Sequence, residues 1–142
     1  HFAAEDGRAP VECMQQDVCR AAMSNASMTV LNYTLQFIDP AERLSLLGRI
    51  AAGTLPGGVL LLSEKICFEE PAEQAMQTEL HHDFKRAQGY SELEIARKRN
   101  ALERVLQPDT DARHRQRLRE AGWRDAVRCF QAFNFVSYLA IR

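Results

Sequence analysis

Asp17 and Asn32 each stand where a strand-like run gives way to polar residues. Asp17 follows Val11-Glu12-Cys13-Met14-Gln15-Gln16, and Asn32 follows Met28-Thr29-Val30-Leu31. The first run alternates apolar and polar residues; the second is a short apolar run of strand formers. In open α/β sheets, ligands bind in the crevice beyond the carboxyl ends of the strands. An acid there can accept from an exocyclic amine such as that of adenine, and an asparagine can both donate and accept. The pair suits a polar ligand of the nucleoside type. Local readings stay open beside it: Asp17 as a cap or turn residue, and Asn32 as the residue that bends the strand end.

Three further groups of residues invite chemistry. In Arg97-Lys98-Arg99, one side chain of three is expected to face inward, where an arginine would offer a planar fork to a carboxylate. The alternative is a solvated helix face. His81-His82-Asp83 suggests a metal or acid–base role, but adjacent histidines on a helix point about 100° apart and cannot share an ion as an i,i+4 pair does. A structural role for His81 and His82 is therefore expected. Arg113, Arg115, Arg117 and Arg119 form no single stripe and are expected to be solvent-exposed.

The four cysteines, Cys13, Cys19, Cys67 and Cys129, form neither CxxC nor a zinc-spaced His/Cys array. No metal is expected. Cys13, Cys67 and Cys129 lie in apolar or strand-like runs and are expected as small reduced core residues.

These residues need elements to hold them. Residues 1–10 are expected as the tail of a helix. Val11–Val18 is expected as one strand and Met28–Phe37 as a second, around which the remainder packs. Asp39-Pro40 then starts a helix as N-cap and first helical residue, with Leu44, Leu47 and Ile50 on its buried face. Leu55-Pro56-Gly57-Gly58 is a turn, and Val59–Glu64 is a strand apolar enough to be buried on both faces. Strand, helix, turn and strand make a parallel, right-handed βαβ unit. Residues 69–107 carry no strand pattern and are expected as a helical insertion, with helices over Ala72–Phe84 and from Ser91, where Glu94 completes a capping box. A charged helix over Asp111–Ala121 and a closing antiparallel hairpin, Trp123–Phe130 and Asn134–Ile141, follow.

Composition bounds the function. At 142 residues, 46% hydrophobic and 26% charged, the chain has the size and composition of one soluble globular domain. Residues 1–80 carry 5 Lys/Arg against 11 Asp/Glu, whereas residues 81–142 carry 13 against 8. The net charge of −1, with no aromatics interleaved among the basic residues, argues against direct nucleic-acid binding. No transmembrane run or targeting motif is present, so a cytoplasmic location is expected.

The order of an acid-ended strand, an Asn-bearing strand, a helix, a Pro-Gly-Gly turn and an LLLSEK strand resembles the second half of a Rossmann-type S-adenosylmethionine-dependent methyltransferase. More narrowly, NASMTVLNYTLQF, LPGGVLLLSEK, HHDFKRAQGYSELEIARKRNALE and FQAFNF resemble the carboxy-S-adenosyl-L-methionine synthase family, from about Val11 to the end. The resemblance implies an α/β fold, here the carboxy-terminal part of a methyltransferase-like sheet. It implies an enzyme that converts S-adenosylmethionine and prephenate to carboxy-S-adenosylmethionine and phenylpyruvate, for wobble-uridine modification of tRNA, and that forms homodimers. It places Asp17 and Val18 beside the adenine, Asn32 along the cofactor and Arg99 on the carboxylate. One departure stands out. The family's glycine-rich turn after the first strand is missing, since Gly57-Gly58 precedes a strand. A portion lacking half the pocket is expected to bind S-adenosylmethionine weakly and to be inactive alone. An ordinary methyltransferase and a non-catalytic association domain are the alternatives.

Overall fold

The computed structural model describes residues 11–103 and 105–142. The helix tail expected over residues 1–10 lies outside them. Four strands form one mixed sheet: β1 (Ala26–Asn32), β2 (Thr54–Lys65), β3 (Arg124–Ala132) and β4 (Phe135–Ile141), in the order β1-β2-β4-β3. β1 and β2 are parallel, with Leu31 beside Leu62 and Asn32 beside Ser63, and the other pairings are antiparallel. Helix α1 (Pro40–Gly53) makes the crossover between them. The Asp39 carboxylate caps it by accepting from the Ala41 N–H at 2.9 Å, with Pro40 in the first turn. The βαβ unit and the closing hairpin are thus as the sequence implies.

α4 (Asp111–Glu120) follows the helices α2 (Pro71–Ala87) and α3 (Glu92–Glu103). Ser91 and Glu94 form the expected capping box, with Ser91 N–H and Oγ both donating to Glu94. One core unites Leu31 of β1, Leu60 and Leu62 of β2, and Val136, Tyr138 and Ala140 of β4 with Leu46, Leu47 and Ile50 of α1 and Leu118 of α4. Trp123 closes it, its indole N–H donating to the Leu47 carbonyl at 3.2 Å. None of the described helices is long and apolar enough to cross a membrane.

Several expectations are corrected. Among the described residues, 11–17 form no strand, because nothing pairs with them. The second expected strand stops at Asn32, where Tyr33 takes a left-handed conformation (φ 51°) and Leu35–Phe37 winds into a 3-10 turn. That strand is not the element around which the rest packs. β1 lies at a sheet edge with Met28 and Val30 exposed, and β2 is inside with a neighbour on either side. β2 is fully buried on one face only: Leu60 and Leu62 are covered, whereas Val59 and Leu61 are half-buried. On α1 the buried leucines are Leu46 and Leu47, and Leu44 is exposed. Cys13 and Cys129 are exposed and Cys67 is partly so, Cys13 and Cys67 lying outside the named elements and Cys129 on the exposed run of β3.

Arg117 is the largest departure. It is 2% exposed, not solvated, because Asp109 reaches it. The Asp109 carboxylate accepts from Arg117 Nη1 at 2.8 Å and from Arg43 Nη1 of α1 at 2.5 Å. Burial opposes ionisation of Asp109, but Arg117 and then Arg43 overcome it and hold the carboxyl below its usual range.

Candidate functional site

The carboxyl ends of β1 and β2 lead into one cavity. Tyr33, just past Asn32, donates its N–H to the Ser63 carbonyl at 2.7 Å, which keeps the chain beside β2 for one more residue. The 3-10 turn that follows is then held by Glu64, buried within β2. Its carboxylate accepts from the Thr34 N–H at 3.2 Å, the Leu35 N–H at 2.7 Å and the Gln36 N–H at 3.0 Å. Burial pushes Glu64 up to about 7 against the pull of those three donors and of Arg43. The Gln36 side chain returns the connection, accepting from the Lys65 N–H at 3.2 Å.

The cavity, of about 650 Å³, is walled by this turn, by the ends of β2 and β4, and by α2 and α3. Tyr33, Phe37, Phe135, Leu102 and Leu106 make its apolar surface. The Tyr33 and Phe135 rings meet edge-on with centroids 5.7 Å apart, and His81 of α2 lies tilted against Phe133 at 5.6 Å and edge-on to Phe135 at 5.0 Å. Four cations line it: Lys65 from β2, Lys85 from α2, and Lys98 and Arg99 from α3. Among the described residues, no aspartate or glutamate lines it.

The electrostatics follow. Burial, then Lys85 and Lys65, push His81 down to about 4, so it is neutral at pH 7. Burial lowers Lys65, and burial with repulsion from Lys98 and Lys65 lowers Lys85. Unbalanced positive charge beside an aromatic wall is an arrangement for an anion with an apolar body.

The candidate residues separate. Arg99 lines the cavity and Asn32 immediately precedes it. Lys98 and Arg99 both line the cavity while staying exposed, where one of the three consecutive cations was expected to face inward. Asp17 and Val18 do not line this cavity. Asp17 accepts from the Cys19 N–H at 2.9 Å, and the Val18 carbonyl accepts from Arg49 of α1 at 3.1 Å. His81 and His82 both line the cavity, and His82 also lies 3.4 Å from Glu79. Sequence reasoning missed Lys65, Lys85 and Asn134. Lys65 had one signal, a cation directly after an apolar strand run; nothing marked the other two.

Several solved structures of this fold are methyltransferases. An O-methyltransferase family protein from Burkholderia thailandensis matches with a TM-score of 0.63 at 16% identity, covering 92% of this chain and 35% of that one. Human N-acetylserotonin methyltransferase, solved in complex with S-adenosylmethionine, matches with a TM-score of 0.61 at 20% identity, covering 91% and 33%. The fold class is that of the S-adenosylmethionine-dependent methyltransferases.

Sequence comparison narrows this further. The carboxy-S-adenosyl-L-methionine synthase of Marinobacter nauticus is 56% identical over all 142 residues, and that of Geobacter metallireducens is 58% identical over 133 residues, 94% of the chain. The chain spans 57% and 54% of the length of these two relatives. No family model matches it. Over the portion it spans, the chain belongs with the carboxy-S-adenosyl-L-methionine synthases.

Proposed function

We propose that the chain forms the acid-substrate side of an enzyme converting S-adenosylmethionine and prephenate to carboxy-S-adenosylmethionine and phenylpyruvate. The observation that carries this reading is the cavity itself, whose described lining holds no acid and sets Arg99 among four cations beside an aromatic wall. Prephenate is a compact ring that becomes aromatic, with one carboxylate on the ring and a second on a pyruvyl arm, which is the shape and charge such a cavity accepts. The reaction balances without an oxidant. A ring–carboxyl bond breaks to release carbon dioxide, and its electron pair aromatises the ring and expels hydroxide. A proton from the sulfonium methyl leaves with that hydroxide as water, and carbon dioxide joins the methyl carbon.

In this scheme Arg99 orients the carboxyl in transit and stabilises its charge as the new carboxylate forms. A charge-assisted fork of this kind contributes about 1.5–3 kcal/mol. Asn32 lies along the sulfonium substrate, and Asp17 with Val18 beside its adenine. The product would serve wobble-uridine modification of tRNA. Exposed Leu80, Phe84 and Leu93 on α2 and α3 are the proposed contact of a homodimer.

The test uses a polypeptide of the relatives' full length that carries this chain. Incubated with S-adenosylmethionine and prephenate, it should yield phenylpyruvate and a sulfonium product heavier by one carboxyl in place of hydrogen, read by mass spectrometry. S-adenosylhomocysteine and a methylated acceptor would instead identify an ordinary methyltransferase. Absence of any product would favour a non-catalytic association role.

A further inference from the structure

The four cations of the cavity do not sit alike. Arg99 and Lys98 come from α3, whereas Lys65 stands on the sheet itself, at the last position of β2. Lys65 is in register with Phe135 of β4, and the next residue, Ile66, donates its N–H to the Asn134 carbonyl at 2.8 Å. Lys65 and Asn134 therefore share the floor that the sheet gives the cavity, and Lys85 of α2 lines the same cavity.

Asn134 supplies an independent observation. Its side chain is 3% exposed, lines the cavity, and its Oδ1 has no hydrogen-bond partner. A buried carboxamide left unpaired costs about 1–3 kcal/mol, so such a group calls for a partner. A half-turn of the carboxamide exchanges its oxygen for its NH2, so the same site can offer two N–H donors. Beside a lysine ammonium, those donors match a carboxylate oxygen.

Resting on the function proposed above, we infer that Lys65 and Asn134, with Lys85 over them, hold the carboxylate that the substrate keeps, leaving Arg99 to the carboxylate that is transferred. Prephenate carries its lasting carboxylate on a pyruvyl arm, and phenylpyruvate retains it. The sheet floor and α3 thus read the two carboxylates separately. Burial lowers Lys65, and no aspartate or glutamate stands beside it among the described residues of the cavity wall, so an arriving anion would meet an uncompensated charge. The neutral His81 ring and Phe135 stand beside this floor and suit the substrate ring.

The experiment compares binding of the two acids by calorimetry in the full-length polypeptide, alongside turnover of prephenate. Lys65→Met and Lys85→Met should each weaken phenylpyruvate and prephenate about tenfold or more. Arg99→Ala should weaken prephenate and leave phenylpyruvate within about twofold. Lys65→Arg should restore most of the loss, which a merely structural role for the Lys65 stem would not require. Unaltered melting temperatures confirm that the variants fold. Should Lys65→Met and Lys85→Met bind phenylpyruvate as the parent does while prephenate is still turned over, the inference is overturned and the proposed function stands. Lysine-dependent phenylpyruvate binding without any carboxylated product would retain the subsite and remove the proposed function. Failure of the parent to bind either acid overturns both.

Discussion

The Glu64 carboxylate lies 2.7 Å from the Leu35 N–H, joining the interior of β2 to the turn that follows β1. Together with its contacts to Thr34 and Gln36, it fixes the path along which Tyr33, Gln36 and Phe37 reach the cavity. A helical-type turn has several N–H groups without partners of their own, and a buried acid from the neighbouring strand satisfies three at once.

Glu64→Gln keeps the shape but replaces one acceptor oxygen with an NH2 facing an N–H group. Urea unfolding should show a loss of about 2 kcal/mol. Ligand binding in the cavity should weaken with it, because the same turn carries Tyr33 and Phe37. A stability equal to that of the parent would show that the turn does not depend on Glu64.

Asp109→Asn should be more severe. Arg43 and Arg117 are both buried and share this one carboxylate, so its loss leaves two guanidiniums poorly compensated. Removing one partner of a buried ionic group costs about 3–5 kcal/mol. Replacing Arg117 by Met together with Asp109 by Asn should cost less than the sum of the separate changes, as a double-mutant cycle would read.

His114 sets a pH dependence. It is buried against Tyr138, both ring nitrogens lack partners, and burial pushes it down to about 4 from an ordinary 6.5. The unfolded chain therefore binds the proton more readily between these values, and stability falls as pH drops from 6.5 through 4. The loss amounts to about 3 kcal/mol by the lower end. His114→Phe should flatten that part of the stability–pH curve. Curves that stay parallel for the two proteins would rule the assignment out.

Arg99→Ala should lower kcat/KM for prephenate by about 10- to 100-fold in the full-length polypeptide, with little change in melting temperature. Lysine at this position should recover only part of it, because an ammonium lacks the planar fork. Unchanged turnover would remove Arg99 from the site.

Much of the scaffold was legible before folding. The apolar run Met28–Leu31, the Asp39-Pro40 helix start and the Val59–Leu62 strand impose a βαβ unit because each signal is local. The Ser91–Glu94 box and the late hairpin were equally plain, since capping and alternation need only near neighbours along the chain. Arg99 stood out by its motif, and the structure gives it a cavity to line.

What the sequence could not decide was which charges would meet. Arg117 looked like its exposed neighbours, and only the packing of α1 against α4 buries it with Arg43 on Asp109. Lys65, Lys85 and Asn134 are far apart along the chain and line one cavity because β2, α2 and the turn before β4 converge. The rank of the strands was likewise tertiary: an apolar run reads the same at a sheet edge as inside, and only pairing makes β1 the edge and β2 the interior. Local patterns determine which elements form. The long-range contacts among those elements decide which polar groups lose water, and hence which of them can hold a ligand.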